Sequence, residues 1–80
     1  MTVHLTRAAR RDLSRLGAGA EGVMIAIETF ARTGVGDVKK LRDFNLPTWR
    51  LRVGRFRVLY RRDASAMVVE RIVDRRDAYR

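Results

Sequence analysis

The chain has 80 residues with 18 Lys+Arg against 9 Asp+Glu, a net charge of +9, one histidine and no cysteine. That length gives a single domain, 1–80, with an open functional surface instead of a cleft between lobes, and the missing cysteine and solitary His4 exclude disulfides, thiolate nucleophiles and a thiolate- or imidazole-based metal centre. No run of about 18 apolar residues is present to span a bilayer, and no basic start leads into an apolar core with a small-residue cleavage site, so a cytoplasmic protein without membrane contact, metal or cofactor is expected.

In chain order, residues 3–5 read as a short first strand, and Thr6 as the cap of a helix over 7–16 in which Ala9, Leu13 and Leu16 recur at helical spacing. Arg7, Arg11 and Arg15 mark its solvated side. Gly17, Gly19 and Gly22 break the pattern, so a turn or loosened helix start leads into a second helix over 21–33, giving a helical hairpin. Val23, Met24, Ile27, Phe30 and Ala31 form its apolar stripe, and Gly34 is placed to end it. Turn residues 34–37 then precede a short strand over 38–41 and a loop over 42–47 that contains the one proline.

Residues 48–60, TWRLRVGRFRVLY, alternate apolar and basic side chains at the period of a strand. Gly54-Arg55 supplies a two-residue turn with glycine first. Counting outward from it, Val53 opposes Phe56, Arg52 opposes Arg57, Leu51 opposes Val58, Arg50 opposes Leu59 and Trp49 opposes Tyr60. One face is core, with Trp49 and Phe56 in it; the other pairs two cations. Like charges directly opposite cost about as much as the 0.2–1 kcal/mol that favourable cross-strand pairs contribute, and the guanidinium fork fits phosphate oxygens. The plainer reading is a solvated face with ion pairs from Glu70 or an aspartate.

Residues 62–65 make another turn, and 67–73 form an apolar, β-branched run typical of a strand covered on both sides, in which Glu70 is expected to pair with a neighbouring arginine. Residues 74–80 leave as a polar tail whose Arg75 and Tyr79 fold back beside the hairpin. The fold class is therefore α+β: two N-terminal helices on one face of a small, mainly antiparallel twisted sheet, the other face open and basic. The charge is concentrated there, since residues 1–48 hold 8 basic and 5 acidic side chains and residues 49–80 hold 10 and 4. Such a field favours nucleic acid, an anionic membrane or an acidic protein.

The order helix, helix, then DVKKL (37–41), WRLRVGRFRVLY (49–60) and VDRRDAYR (73–80) resembles the RelE/ParE superfamily of bacterial toxins over nearly the whole chain. The resemblance implies the element order β-α-α-β-β-β-β and the toxin of a type II toxin-antitoxin pair, held in a hetero-oligomer with a cognate antitoxin protein. RelE-like members cut mRNA in the ribosomal A site, whereas ParE-like members poison DNA gyrase. In the RelE branch a basic-x-basic pair before the turn, an arginine after it, and a basic residue with a tyrosine in the tail handle the scissile phosphate. The matching positions are Arg50 and Arg52, Arg57, Arg75 and Tyr79. Arg52, Arg57, Arg75 and Tyr79 are the implied catalytic set, and Arg50, Lys39, Lys40 and Arg55 are expected to hold RNA by charge.

The implied reaction is a metal-independent attack of the ribose 2′-hydroxyl on the adjacent phosphate. Arginine is a poor general base because its pKa stays above about 12, so the lysines that some relatives carry at the basic-x-basic positions are not replaced chemically by Arg50 and Arg52. Asp74 stands where many relatives have histidine, as a base or as a holder for Arg75. Tyr79 and the clustered arginines favour the ribosome-dependent nuclease; the missing lysines and histidine favour a gyrase inhibitor. A basic RNA-binding module without toxicity is the third reading.

Overall fold

The computed structural model describes residues 1–42 and 44–75. Seven elements follow one another: β1 (Thr2–Leu5), α1 (Arg7–Ser14), α2 (Gly19–Thr33), β2 (Asp37–Leu41), β3 (Thr48–Val53), β4 (Phe56–Arg62) and β5 (Ala66–Asp74). The sheet order is β1-β5-β4-β3-β2, with every neighbouring pair antiparallel except β1 and β5, which run parallel. The architecture is the expected one, with both helices on one face. No helix among the described residues is long and apolar enough to cross a membrane.

Local chemistry sets the elements. Thr6 is extended (φ −67°, ψ 166°), and its hydroxyl oxygen accepts from the Ala9 N–H at 3.0 Å while its O–H donates to the Glu70 carbonyl at 2.9 Å. One side chain thus caps α1 and ties it to β5. Thr6→Ala should lower stability by about 1–2 kcal/mol, the upper half of the range for a lost N-cap, read as an earlier urea midpoint at unchanged slope.

Helix α1 stops at Ser14, sooner than residue 16, because Gly17 takes φ 60° and redirects the chain. The glycines that follow do not loosen the start of α2, which begins at Gly19. A Cβ there would meet the Phe56 ring at 3.0 Å, so glycine lets the helix lie directly on the hairpin. The two helices are placed by the sheet more than by each other: α1 packs on β5, and α2 on β1 and β3.

Between helices and sheet lie Val23, Ile27, Phe30, Leu51, Val58, Tyr60, Met67, Val69 and Ile72, all at most 4% exposed. Full burial of side chains of this size contributes about 1.5–3 kcal/mol each. The β5 run is not covered on both faces. It is an inner strand in the sheet, but only Met67, Val69 and Ile72 face the helices, and its alternation slips at a bulge where Tyr60 pairs with Val69 and Leu59 with Arg71. The bulge leaves Glu70 without an opposite residue, turned to the open face beside Arg61.

Candidate functional site

The hairpin register is the predicted one. Arg52 lies opposite Arg57, Arg50 opposite Leu59, Leu51 opposite Val58 and Trp49 opposite Tyr60. Gly54 takes φ 57° at the first turn position while no described non-glycine residue has positive φ, the backbone of a type II′ turn. Burial of Leu51, Val58 and Tyr60 against the helices forces Arg50, Arg52, Arg57 and Arg61 onto the opposite, uncovered face.

Neighbouring strands extend that face. Lys39 is paired with Arg50, Asp37 with Arg52, and Val73 with Arg57. Two of the arginines have acids: Arg50 Nη1 lies 3.4 Å from Asp37 Oδ1, and Arg61 Nε donates to Glu70 Oε1. The plainer reading therefore holds at those two positions, and Glu70 has the arginine partner expected of it. It does not hold at Arg52, whose Nε is buried with no hydrogen-bond partner and which has no ion pair among the described residues. A buried donor on a cation, set opposite a second cation, is an arrangement that an anion completes.

The turn end of the hairpin gathers further cations. Arg55 Nε is 3.2 Å from Asp74 Oδ2, and the Arg75 N–H donates to the Arg55 carbonyl at 2.6 Å, so the end of β5 is fastened to the turn and the exposed Arg75 stands beside it. Asp74 shares a row with Val53 and Phe56, whose side chains face the helices. Its carboxylate holds Arg55, an arginine of the turn, where the sequence reading has it as a base or as a holder for Arg75.

Lys40 is not with the arginines. Its pairing with Trp49 puts it on the helix-bearing side of the edge strand β2, with Nζ 5.5 Å from the indole centroid. Tyr79 lies outside the described residues. Tyr60 does not replace it: the phenol is fully buried between Phe30 and Trp49, and burial, only partly offset by Arg62, pushes its pKa up.

Sequence reasoning missed Asp12. Its carboxylate accepts from Arg71 Nε at 2.7 Å, Arg71 Nη2 at 3.1 Å and the Ile72 N–H at 2.9 Å, closing the edge of β5 where β1 has ended. The signal was there: Asp12 sits three residues after Ala9 and four before Leu16, on the apolar side of α1.

Neither the family models nor the curated protein sequences give a match to the chain. Solved structures do. A chain of the RelB-RelE antitoxin-toxin complex from Methanococcus jannaschii superposes with a TM-score of 0.75 at 18% identity, over 95% of this chain and 94% of that one. One from the archaeal RelE-RelB complex of Pyrococcus horikoshii gives 0.75 at 21% identity, over 92% and 93%. The toxin-antitoxin complex RelBE2 of Mycobacterium tuberculosis contains a chain 32% identical, with a TM-score of 0.65 over 92% of this chain and 96% of that one. With the fold shared by all three and sequence identity of that level across nearly the full length of the mycobacterial chain, the protein belongs to the RelE/ParE superfamily of toxin-antitoxin toxins.

Proposed function

We propose that the protein is the toxin of a type II pair, acting as a ribosome-dependent, metal-independent mRNA endoribonuclease in the cytoplasm and neutralised by an antitoxin bound in a hetero-oligomer. The observation that carries the reading is the Arg52–Arg57 pair, with the buried Arg52 Nε left without an acceptor among the described residues. The solved neighbours, taken from RelB-RelE complexes, support the antitoxin as partner.

In this reading the ribose 2′-oxygen attacks the adjacent phosphorus, its proton passes to a base, and the bond from phosphorus to the 5′-oxygen breaks as that oxygen takes up a proton. The products are a 2′,3′-cyclic phosphate and a 5′-hydroxyl end. Arg52 and Arg57 hold the non-bridging oxygens as negative charge grows in the phosphorane. Arg50, already committed to Asp37, Lys39 beside it and Arg55 at the turn steer the backbone by charge. Arg75 assists from the turn end, and Tyr79 orients or activates the reacting hydroxyl.

The test is primer extension on a reporter mRNA in a reconstituted translation system, comparing wild type with Tyr79→Phe. New ends inside translated codons that vanish without ribosomes, and that weaken in the variant, are expected. Uncut message with continuing translation and a block in DNA supercoiling would transfer the reading to a gyrase inhibitor, which the absence of lysine and histidine at the matching positions favours. Association with ribosomes should weaken steeply with salt, because phosphate contacts release counterions; filter binding that stays flat across a salt series would remove the electrostatic contacts proposed for Lys39, Lys40 and Arg55.

A further inference from the structure

On the helix-bearing side of the sheet, away from the arginine face, two cations lie over one indole. Lys40 Nζ is 5.5 Å and Arg62 Cζ 5.3 Å from the Trp49 ring centroid. Neither cation has an ion pair among the described residues. The acid next in sequence, Asp63, is committed to its own turn, accepting from the N–H groups of Ser65 and Ala66 at 2.8 Å each. The two charges are separated by no more than the sum of their distances to the ring, of the order of the Debye length of about 8 Å at physiological salt, so they repel. Trp49 is a firm platform, its ring stacked against the buried Tyr60 at 6.2 Å.

The edge strand joins this patch to the candidate site. Alternation along β2 sends Lys39 to the Arg50 side and Lys40 to the Trp49 side. A basic track therefore runs from Arg52 and Arg57 through Arg50 and Lys39, over the sheet edge, to Lys40 and Arg62.

We propose that Lys40, Trp49 and Arg62 form a second RNA-contact surface, which grips two phosphates of a strand lying across the β2 edge and offers the indole to a base. The choice of RNA as the anion rests on the function proposed above. An aromatic plane interleaved with cations is the chemistry that binds single strands without sequence preference, each base offering a π-face to the indole.

Trp49 is the chain's one tryptophan, so its emission reports on this surface. The full-length protein is titrated with a short 2′-O-methyl oligouridylate, which lacks the attacking hydroxyl. Saturable quenching is expected. The plot of log affinity against log salt should be shallower for Lys40→Ala/Arg62→Ala by about 1.4, two single-strand phosphate contacts at 0.7 each, with affinity lowered about tenfold. Should the double variant unfold, Lys40→Gln alone should remove about half of that slope. Equal slopes in wild type and variants would overturn the proposal. So would quenching by polyglutamate as tight as that by the oligonucleotide at equal charge, which would assign the patch to an acidic protein. Quenching with an uncut reporter mRNA would leave the surface standing and sink the nuclease; cleavage without quenching would do the reverse.

Discussion

Arg57→Ala should lower mRNA cleavage in a reconstituted translation system by about 10²–10³-fold, the usual loss when one preorganised donor to a developing oxyanion is removed. The side chain stands directly across from Arg52, so its charge is added where an existing cation already faces the same side. Its truncation relieves like-charge repulsion of up to about 1 kcal/mol, and the variant is checked for its fold by circular dichroism before cleavage is compared. Lost cleavage in a variant that remains folded separates a phosphate-handling residue from a structural one. Arg52→Lys sharpens the point. It keeps the charge but loses the fork that presents the buried Nε, and about a tenfold fall in cleavage is expected where a point charge replaces a bidentate contact. Arg52→Lys with full activity would mean that only the field matters, and Arg57→Ala with full activity would remove the pair from the mechanism.

The largest effect on stability belongs to Asp12. Its carboxylate is 9% exposed and receives three hydrogen bonds, one from the main chain of β5. Asp12→Ala strands the Ile72 N–H and one side of Arg71, which is half exposed and can turn to water. A cost of about 2–4 kcal/mol follows from one unsatisfied buried donor together with a lost charge-assisted pair. Asp12→Asn keeps an oxygen for Ile72 and should cost about half of that. Urea unfolding of both variants gives the comparison.

The same contacts set the acid limit. Burial alone would raise the Asp12 pKa, but the hydrogen bonds from Arg71 and the Ile72 N–H, with the fields of Arg71 and Arg15, outweigh it and hold the carboxyl below its usual range. A lowered folded pKa means that the contribution is complete above the unfolded value of about 3.9 and drains away as pH falls through the folded one. Wild-type stability should therefore drop below about pH 4 while that of Asp12→Asn changes less, which chemical denaturation at a series of acid pH values will show.

The hairpin was fully legible because two independent signals agreed on it: strict alternation over residues 48–60 and one glycine at a position that demands positive φ. Once the register was known, the grouping of Arg50, Arg52 and Arg57 followed from parity alone. Lys39 and Lys40 show where that logic stops. As adjacent residues of an edge strand they face opposite ways, but which of them joins the arginines depends on the pairing of β2 with β3, across a loop whose length fixes no register. Helical spacing puts Asp12 on the apolar side of α1, but that its partner is Arg71 was out of reach for a different reason. Their contact spans 59 residues and exists because β1 is too short to cover the end of β5, a fact of tertiary geometry that neither segment records. The bulge at Glu70 is of the same kind, set by the fit between β4 and β5 and by the Thr6 hydroxyl that meets it.

The parallel pairing of β1 with β5 governs how the molecule comes into being. Thr2 finds its partner only at Ala66, and β5 also supplies Met67, Val69 and Ile72 to the core beneath α1. A nascent chain that has emerged through β4 has a hairpin, two helices with nothing across from much of their apolar surface, and a first strand with no neighbour. Closing so long a loop is slow and unrewarded until the far segment arrives. The full core is thus out of reach until β5 has emerged, and a chain cut short before it would hold neither the Arg57–Val73 pairing nor the fastening of β5 to the turn. The arginine face, and with it the activity proposed above, would on this design form only with the strand that braces Arg57.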